Sequence, residues 1–207
     1  MEQLEQSFAD LRRALTHRSL LVDQGEDPVF FLVYNPEDSI RVYQRLRDLD
    51  RALRHDGWHT HQFDVGDRLE RYITTHQDYP FILQGLQDEQ DDPEVVEEVY
   101  QSVRQLLQNG PDATVVEEWV IEEINTAATA TNATTAQNGG LLLIYGLELL
   151  HPYLQIGYVE QKIQGHVTCP VVVLYPGKRT SAFGLRYLGF YPPDGNYRSR
   201  HVGGNAG

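Results

Sequence analysis

The chain of 207 residues suits one domain with a single sizeable core, and its formal net charge of −13 repels phosphate backbones, so direct nucleic-acid binding is not expected. No run of about 18 apolar residues occurs, so neither a membrane span nor a membrane partner is expected. The N-terminal segment 1–5 is acidic and unlike a signal peptide, and the single Cys169 precludes an internal disulfide, so a cytoplasmic location is predicted.

Helix and strand patterns alternate along the first part of the chain. Leu4, Phe8, Leu11 and Leu15 have helical spacing and indicate an amphipathic helix within residues 1–22. The next predicted elements are a buried strand Val29–Tyr34, a helix from Pro36 capped by Asn35 and ended by Gly57, a strand Trp58–Val65, and a helix with Leu69, Tyr72 and Ile73. The helix after Pro36 is expected to bury a face formed by Ile40, Tyr43, Leu46, Leu49 and Leu53.

The remaining elements follow the same alternation. Asp78–Asp92 is interpreted as irregular, and Pro93–Leu107 and the region around Val115–Ile124 as helices. Residues 126–139 are interpreted as a mobile loop, with a helix extension as the alternative. The later predicted elements are a strand Gly140–Tyr145, a helix Tyr153–Ile163, a strand Pro170–Tyr175 closed by Pro176-Gly177, and an antiparallel edge hairpin of Leu185–Phe190 and Tyr197–Val202.

Buried strands alternating with helices predict a three-layer α/β fold, in which a mostly parallel sheet has helices on both faces and carries the C-terminal hairpin. The whole chain, 1–207, is expected to form this single domain. Ligands of such sheets lie beyond the carboxyl ends of the strands. The fold is expected to resemble a P-loop-NTPase-like domain. In such a domain the loop after the first strand binds phosphate, so this loop is where a phosphate-binding motif is expected.

That loop lacks the residues that hold phosphate groups. A phosphate loop needs several glycines, then Lys and Ser or Thr, whereas Asn35-Pro36-Glu37-Asp38 has no glycine or lysine and carries two acids. Gly177-Lys178-Arg179-Thr180 is not a substitute, because the position of the first motif glycine is Val172 inside a strand. The sequence therefore favours a binding protein over a nucleotide hydrolase, with no cofactor.

No complete catalytic or metal-binding set is visible either. His59 and His61 share a strand face, but no third ligand is placed by spacing, so half-buried histidines are favoured and no metal is predicted. Cys169 is interpreted as a structural thiol. Asp64 and Glu148 could form a carboxylate pair at neighbouring strand ends, although spacing cannot bring them together and acids at helix starts are usually caps.

The C-terminal region interleaves aromatic and basic residues, while the acids concentrate between Asp88 and Glu123. Tyr and Arg are residue types that concentrate binding energy. The segment is therefore a candidate contact surface, with an edge hairpin of structural tyrosines as the alternative. The candidate segments are Tyr175–Arg179, Gly189–Pro193 and Gly195–Arg200.

Three motifs resemble the BrxB family of BREX phage-defence islands, formerly a domain of unknown function. They are Leu143-Ile144-Tyr145-Gly146 with Leu150-His151-Pro152-Tyr153-Leu154, then Val171-Val172-Val173-Leu174-Tyr175-Pro176-Gly177, then Asn196-Tyr197-Arg198. The N-terminal helix and the strand before Asn35 are also similar, so the resemblance spans nearly the whole chain. His151-Pro152-Tyr153 departs from the family's Tyr-Pro-Phe-like helix entry.

The resemblance implies a small accessory protein of an anti-phage system, with no established catalytic residues. Its implied partner is PglZ, an alkaline-phosphatase-like protein, with other BREX components also possible and no small-molecule substrate expected. The predicted partner-binding residues are Tyr175, Lys178, Arg179, Tyr197 and Arg198.

Two alternatives stay open from the sequence. One is an enzyme with a nucleotide or phosphoester substrate at the strand ends, using Asn35, Asp64 and Lys178. The other is nucleic-acid binding through the basic C-terminal segment, with Lys178 and Arg198 as contacts.

Overall fold

A computed structural model describes residues 2–16, 28–88, 92–108, 114–129, 138–154, 165–181, 184–193 and 199–204. None of the helices in these ranges is long and apolar enough to cross a membrane.

Six α-helices and two short 3₁₀ helices occur in the described ranges. The α-helices are α1 (Glu2–Thr16), α2 (Ser39–His55), α3 (Val65–Thr75), α4 (Tyr79–Asp88), α5 (Pro93–Leu107) and α6 (Val115–Thr129), and the 3₁₀ helices are Pro36–Asp38 and Leu147–Leu150. Predicted helices α1, α2, α3, α5 and α6 are thereby confirmed, although residues 17–22 of the N-terminal segment lie outside the described ranges.

The strands form one six-stranded, mostly parallel sheet, as predicted. They are β1 (Val29–Tyr34), β2 (Trp58–Asp64), β3 (Gly139–Tyr145), β4 (Val171–Arg179), β5 (Leu185–Tyr187) and β6 (Arg200–Gly203). The order is β2-β3-β4-β1-β6 with all neighbours parallel, and β5 pairs antiparallel with the end of β4. Parallel pairing brings the carboxyl ends of β1 to β4 to one side of the molecule, where Tyr34 aligns with Pro176 and Asp64 with Tyr145.

Strand β1 occupies the inner part of the sheet because every one of its side chains can be buried. All six residues of Val29–Tyr34 are buried, and the strand pairs with β4 on one side and β6 on the other. Its side chains alternate between two cores, Phe30 and Leu32 on one face and Phe31 and Val33 on the other. A continuous apolar run is thus what a two-sided parallel strand requires.

Each face of the sheet has its own helices and its own core. Helices α1 and α2 cover one face through residues such as Leu11 and Leu46. Helices α3 to α6 cover the other through residues such as Leu69, Val103 and Trp119. The three-layer arrangement follows from these two cores.

Helix α4 corrects the sequence interpretation of Asp78–Asp92 as irregular. Tyr79–Asp88 is helical, and Ile82 is buried against the core of α3, α5 and α6. The segment is short and has polar and acidic residues on both sides, so its helical pattern is weak in the sequence. Packing against the core stabilises the helix.

Strand β4 runs through Pro176-Gly177 instead of ending there. Its first half pairs with β1 and β3, and its last three residues, Gly177 to Arg179, pair with β5. A Cβ on Gly177 would lie 2.4 Å from the carbonyl oxygen of Arg186, so glycine permits the close approach of β5. The Pro-Gly pair therefore marks a change of pairing partner and not a turn.

The predicted C-terminal hairpin is wrong in its pairing. Leu185–Tyr187 pairs with β4, and Arg200–Gly203 is a parallel edge strand beside β1. Because β1 has an edge that β4 does not occupy, β6 can pair there and bury its apolar side chain, so that Val202 is only 6% exposed. A two-stranded ribbon would leave both strands less buried.

Other expectations differ in detail. Ile40 is 73% exposed, and the buried face of α2 is Val42, Leu46, Leu49 and Leu53. Residues 126–129 extend helix α6, whereas 130–137 lie outside the described residues. The predicted helix Tyr153–Ile163 begins in a turn, and its residues from 155 lie outside the described ranges.

Candidate functional site

The corner after β1 is a backbone turn with acids on its outside. The Asp38 N–H donates to the Asn35 carbonyl at 2.7 Å, and Pro36–Asp38 forms a 3₁₀ turn that leads into α2. The Asn35 side chain makes no capping hydrogen bond, contrary to the sequence expectation, and the turn is held instead by the Ser39 hydroxyl on the Pro36 carbonyl at 2.8 Å. Glu37 is exposed and Asp38 pairs with Arg41 at 2.9 Å. This corner thus presents carboxylates where a phosphate site would need N–H groups.

A tyrosine–glutamate cluster lies beside this corner. The Tyr43 hydroxyl donates to Oε1 of Glu148, and Tyr34 is buried next to the pair. Burial first, and then the hydrogen bond to Glu148, raise the pKa of Tyr43 above its ordinary value. Burial and then the Glu148 charge raise the pKa of Tyr34. Both phenols therefore stay protonated at neutral pH, and the Tyr43 hydroxyl acts as a hydrogen-bond donor.

Asp64 and Glu148, which spacing could not bring together, line one cleft of about 390 Å³ with Tyr43 and Tyr145. Asp64 Oδ1 accepts from the N–H groups of Gly66 and Asp67 at 3.0 and 3.2 Å, so it caps α3. Gly146, at φ +82°, allows this approach, because a Cβ there would lie 2.8 Å from Asp64 Oδ1. Each carboxylate has a structural partner, since Asp64 caps a helix and Glu148 accepts a partly buried hydrogen bond from Tyr43.

The three residues of the enzyme alternative do not converge. Asn35 and Lys178 line a second cleft of about 680 Å³, together with Arg41 and Arg45. Asp64 lines the first cleft instead. Arg41 and Arg45 are already paired with Asp38 and Glu5 at 2.9 and 3.0 Å.

Tyr175 is a core residue and not the surface contact expected from the sequence. Its side chain is 0% exposed and packs edge-on against Phe31, with ring centroids 5.3 Å apart, and against Tyr187 at 5.9 Å. The alternation of side chains along β4 turns Tyr175 toward the core under α3 to α6.

Of the other predicted contacts, Lys178 is exposed and Arg179 is half-buried. Arg179 Nη1 donates to the Gly203 carbonyl at 3.4 Å, and its buried Nε has no hydrogen-bond partner among the described residues. Tyr197 and Arg198 lie outside the described ranges.

The C-terminal bases differ from most arginines elsewhere in the chain. Ion pairs within the described ranges hold Arg12, Arg13, Arg41, Arg45, Arg51, Arg54, Arg68 and Arg71. Lys178, Arg179, Arg186 and Arg200 make no ion pair with any described residue. Within the described ranges these four bases are therefore not neutralised by a carboxylate.

A partly exposed aromatic cluster lies near Lys178. It consists of the exposed His151 and Phe190 and the half-buried Tyr100, Tyr153 and Tyr191. Phe190 is 64% exposed and stacks on Tyr191 with centroids 4.8 Å apart. His151 lies 5.4 Å from Phe190 and 5.6 Å from Tyr191, and its Nδ1 is hydrogen-bonded to the Tyr191 hydroxyl at 2.7 Å. Tyr100 stacks on Tyr153 at 5.6 Å.

The sequence indicated only part of this cluster. Gly189–Pro193 stood out as aromatic, but His151, Tyr153 and Tyr100 come from two other regions of the chain. Their convergence depends on the turn after Leu147–Leu150 and on the packing of α5. No local sequence pattern encodes either.

The histidine and cysteine candidates occupy structural positions. His61 Nε2 lies 2.5 Å from Glu123 Oε2. Across the described part of the chain, no group of three or more His, Cys, Asp or Glu is placed to hold a metal ion. Burial raises the pKa of the Cys169 thiol to about 11, and its Sγ donates to the Ile124 carbonyl at 3.7 Å.

Comparison of the chain with protein-family models, curated proteins and solved structures finds no match.

Proposed function

We propose that this protein is a non-catalytic, protein-binding component of a BREX-type phage-defence system, and that its partner is the PglZ alkaline-phosphatase-like protein. The assignment to BREX rests on the sequence resemblance described above. The binding role is carried by one structural observation, the aromatic cluster of Tyr100, His151, Tyr153, Phe190 and Tyr191, in which His151 and Phe190 are exposed.

Exposed, pre-packed aromatic side chains are typical anchors of protein interfaces. Phe190 leaves 64% of its surface in water although a stacked partner holds its ring. Rigid aromatic residues bury large areas on association while losing little conformational freedom. The Lys178 side chain adjoins this surface, because its Cε lies 3.5 Å from the position of a Cβ on Gly189. The exposed Phe190 ring beside the Lys178 ammonium group therefore offers a partner both apolar and charged contacts.

The state of the strand-end carboxylates favours binding over catalysis. Asp64 is held by two backbone N–H groups and Glu148 by the Tyr43 hydroxyl. A general base must reach a substrate proton in a suitable pose. Carboxylates already used in capping and in a buried hydrogen bond are poorly placed for that task.

The proposal is tested first by co-expression with the other proteins of a BREX island and affinity purification through a tag on this chain. PglZ is expected to co-purify at a defined ratio. Recovery of no BREX protein under gentle salt conditions would contradict the proposed function.

The surface is tested with Phe190→Ala and His151→Ala, measured by titration of purified PglZ. Loss of one interface anchor is expected to weaken binding about 10-fold or more. Ile40→Ala is the matched control, because Ile40 is an exposed apolar side chain, 73% exposed, outside the aromatic cluster. Equal affinity of all three variants and the wild type would remove the cluster from the interface.

A further inference from the structure

A second surface, distinct from the aromatic cluster, lies between α1 and β6. It is a cleft of about 380 Å³ whose lining includes Arg13, Arg179, Arg200 and His201, and Asp10 is the one carboxylate among the described residues that line it. Asp10 pairs with Arg13 at 2.9 Å. Two guanidinium groups, Arg179 and Arg200, therefore remain without a carboxylate partner among the described residues, on a chain of net charge −13.

Arg179 is the least satisfied of these groups. Its buried Nε has no hydrogen-bond partner within the described ranges, and its Nη1 makes only a long bond of 3.4 Å to the Gly203 carbonyl. A buried donor without a hydrogen-bond partner is destabilising, and more so when it carries a charge. A guanidinium presents its donors as a planar fork that matches carboxylate and phosphate oxygens.

The backbone at the end of β6 is shaped around this arginine. Gly203 and Gly204 have φ of +73° and +59°, and a Cβ on Gly204 would lie 3.3 Å from Arg179 Cγ. A Cβ on Gly203 would lie 2.6 Å from the Ser7 hydroxyl and 2.8 Å from the Val33 carbonyl. Gly204 in left-handed conformation thus brings the chain close to Arg179, while Gly203 allows its close approach to Ser7 and Val33.

His201 adds little positive charge to the cleft at neutral pH. Burial first, and then the charge of Arg179, lower the pKa of His201 to about 4. The cationic character of the cleft therefore comes from the guanidinium groups, which stay charged at every physiological pH.

We propose that this cleft binds an oxyanion, a phosphate or carboxylate group, held between the guanidinium groups of Arg179 and Arg200. The cleft, of about 380 Å³, has room for an oxyanion carried on a larger molecule. This proposal does not rest on the binding of PglZ, because it is argued from the residues of the cleft alone. Its test uses the isolated protein, so the two proposals can fail independently.

The test is isothermal titration of the purified chain with inorganic phosphate and, separately, with succinate, against sodium chloride at equal ionic strength. Saturable binding of one of the two probes is expected, and the probe that binds distinguishes a phosphate from a carboxylate site. Arg179→Gln and Arg200→Gln are each expected to weaken it about 10-fold or more, since each removes a charge-assisted pair of hydrogen bonds.

Arg104→Gln is the matched control, because Arg104 is an exposed arginine with no ion pair to described residues and lies on α5, in the opposite helical layer from α1. Arg200 is exposed, so its replacement tests the site even if Arg179→Gln unfolds the chain. Absence of saturable binding of both probes at millimolar concentration overturns the proposal. An equal loss in Arg104→Gln also overturns it, since that result indicates a general charge effect.

Discussion

At the scale of single residues, the pair of Tyr43 and Glu148 joins helix α2 to the turn after β3. The Tyr43 hydroxyl donates to Glu148 Oε1, and Glu148 Oε2 is buried without a hydrogen-bond partner among the described residues. The tyrosine therefore supplies the single side-chain hydrogen bond found for this carboxylate. Loss of the Tyr43 hydroxyl would leave this half-buried carboxylate without a donor from a side chain of the described residues.

Tyr43→Phe is expected to lower the free energy of unfolding by about 1 kcal/mol, because the half-buried Glu148 carboxylate loses its hydrogen-bond donor. Urea titration followed by circular dichroism measures this change. Tyr145→Phe is the control, since Tyr145 lies against Tyr43 in the same cleft and its hydroxyl has no hydrogen bond to a described residue. An equal loss in both variants would contradict this role of the Tyr43 hydroxyl.

His201 predicts a component of acid sensitivity. Its pKa is about 4 in the folded chain, and its ordinary value is 6.5. Between these two values the unfolded chain binds a proton that the folded chain does not, so stability falls as pH falls from 6.5 toward 4. His201→Gln is therefore expected to lose less stability than the wild type between pH 7 and pH 5.

Urea unfolding at the two pH values measures this difference. His166→Gln is the control, because His166 is exposed. If His201→Gln and the wild type have the same pH dependence, His201 is not the source of the acid sensitivity.

At the scale of elements, the link from β2 to α3 depends on a side-chain cap. Asp64 ends β2 and its carboxylate accepts from two N–H groups in the first turn of α3. An acid in this position both satisfies free donors and opposes the positive end of the helix dipole. The residue that closes the strand therefore also starts the helix.

Asp64→Ala is expected to destabilise the chain by about 1 kcal/mol, within the usual range for loss of a helix cap. Asp64→Asn should cost only a few tenths, because the amide oxygen can accept the same hydrogen bonds. Thermal unfolding of both variants tests the difference. A cost of the same size in the two variants would assign the effect to the charge and not to the cap.

The elements that the sequence predicted well are those whose burial follows a local period. Val29–Tyr34 is apolar at every position, and Pro93–Leu107 has helical spacing behind a capping Asp92 and an initial proline. The misplaced features depend on distant partners. Leu185–Tyr187 pairs with β4 and Arg200–Gly203 with β1, and neither choice can be predicted from a turn sequence between them.

The candidate site was less predictable than the fold for the same reason. Tyr175 combined with nearby bases suggests a contact surface, yet its position on β4 directs it into the core. The exposure of Lys178 and Phe190 and the half-exposure of Arg179 agree with the expected surface, while Tyr197 and Arg198 lie outside the described residues.

At the scale of the whole molecule, the negative charges of the acidic side chains are only partly balanced by ion pairs. The net charge is −13, and many acids, such as Glu94 and Glu98 on α5, are exposed without an ion pair to described residues. Like charges on one surface repel and disfavour the compact state. Most of the ion pairs are exposed and contribute little.

Added salt is accordingly expected to stabilise the chain, because screening of the repulsion outweighs the weakening of exposed ion pairs. Raising sodium chloride from about 0.05 M to about 0.5 M should increase the melting temperature by a few degrees, equivalent to about 1 kcal/mol for a chain of this size. The double variant Glu94→Gln, Glu98→Gln should show a smaller increase. A fall in melting temperature with salt would contradict this balance.

The inner position of β1 has a consequence for how the chain folds. Its partners are Val171–Pro176 and Arg200–Gly203, so the strand is synthesised long before either neighbour exists. Contacts this distant in sequence slow folding, and until they form an apolar, uncharged run such as Val29–Tyr34 is a hazard for aggregation. Pro28 and Pro36 stand on either side of the run, followed by Glu37 and Asp38. The segment from Asn35 to Asp38 stands where a phosphate loop would be, and its proline and acids also have the composition of gatekeeper residues. Such residues reduce aggregation of the newly synthesised β1 before β4 and β6 are available to pair with it.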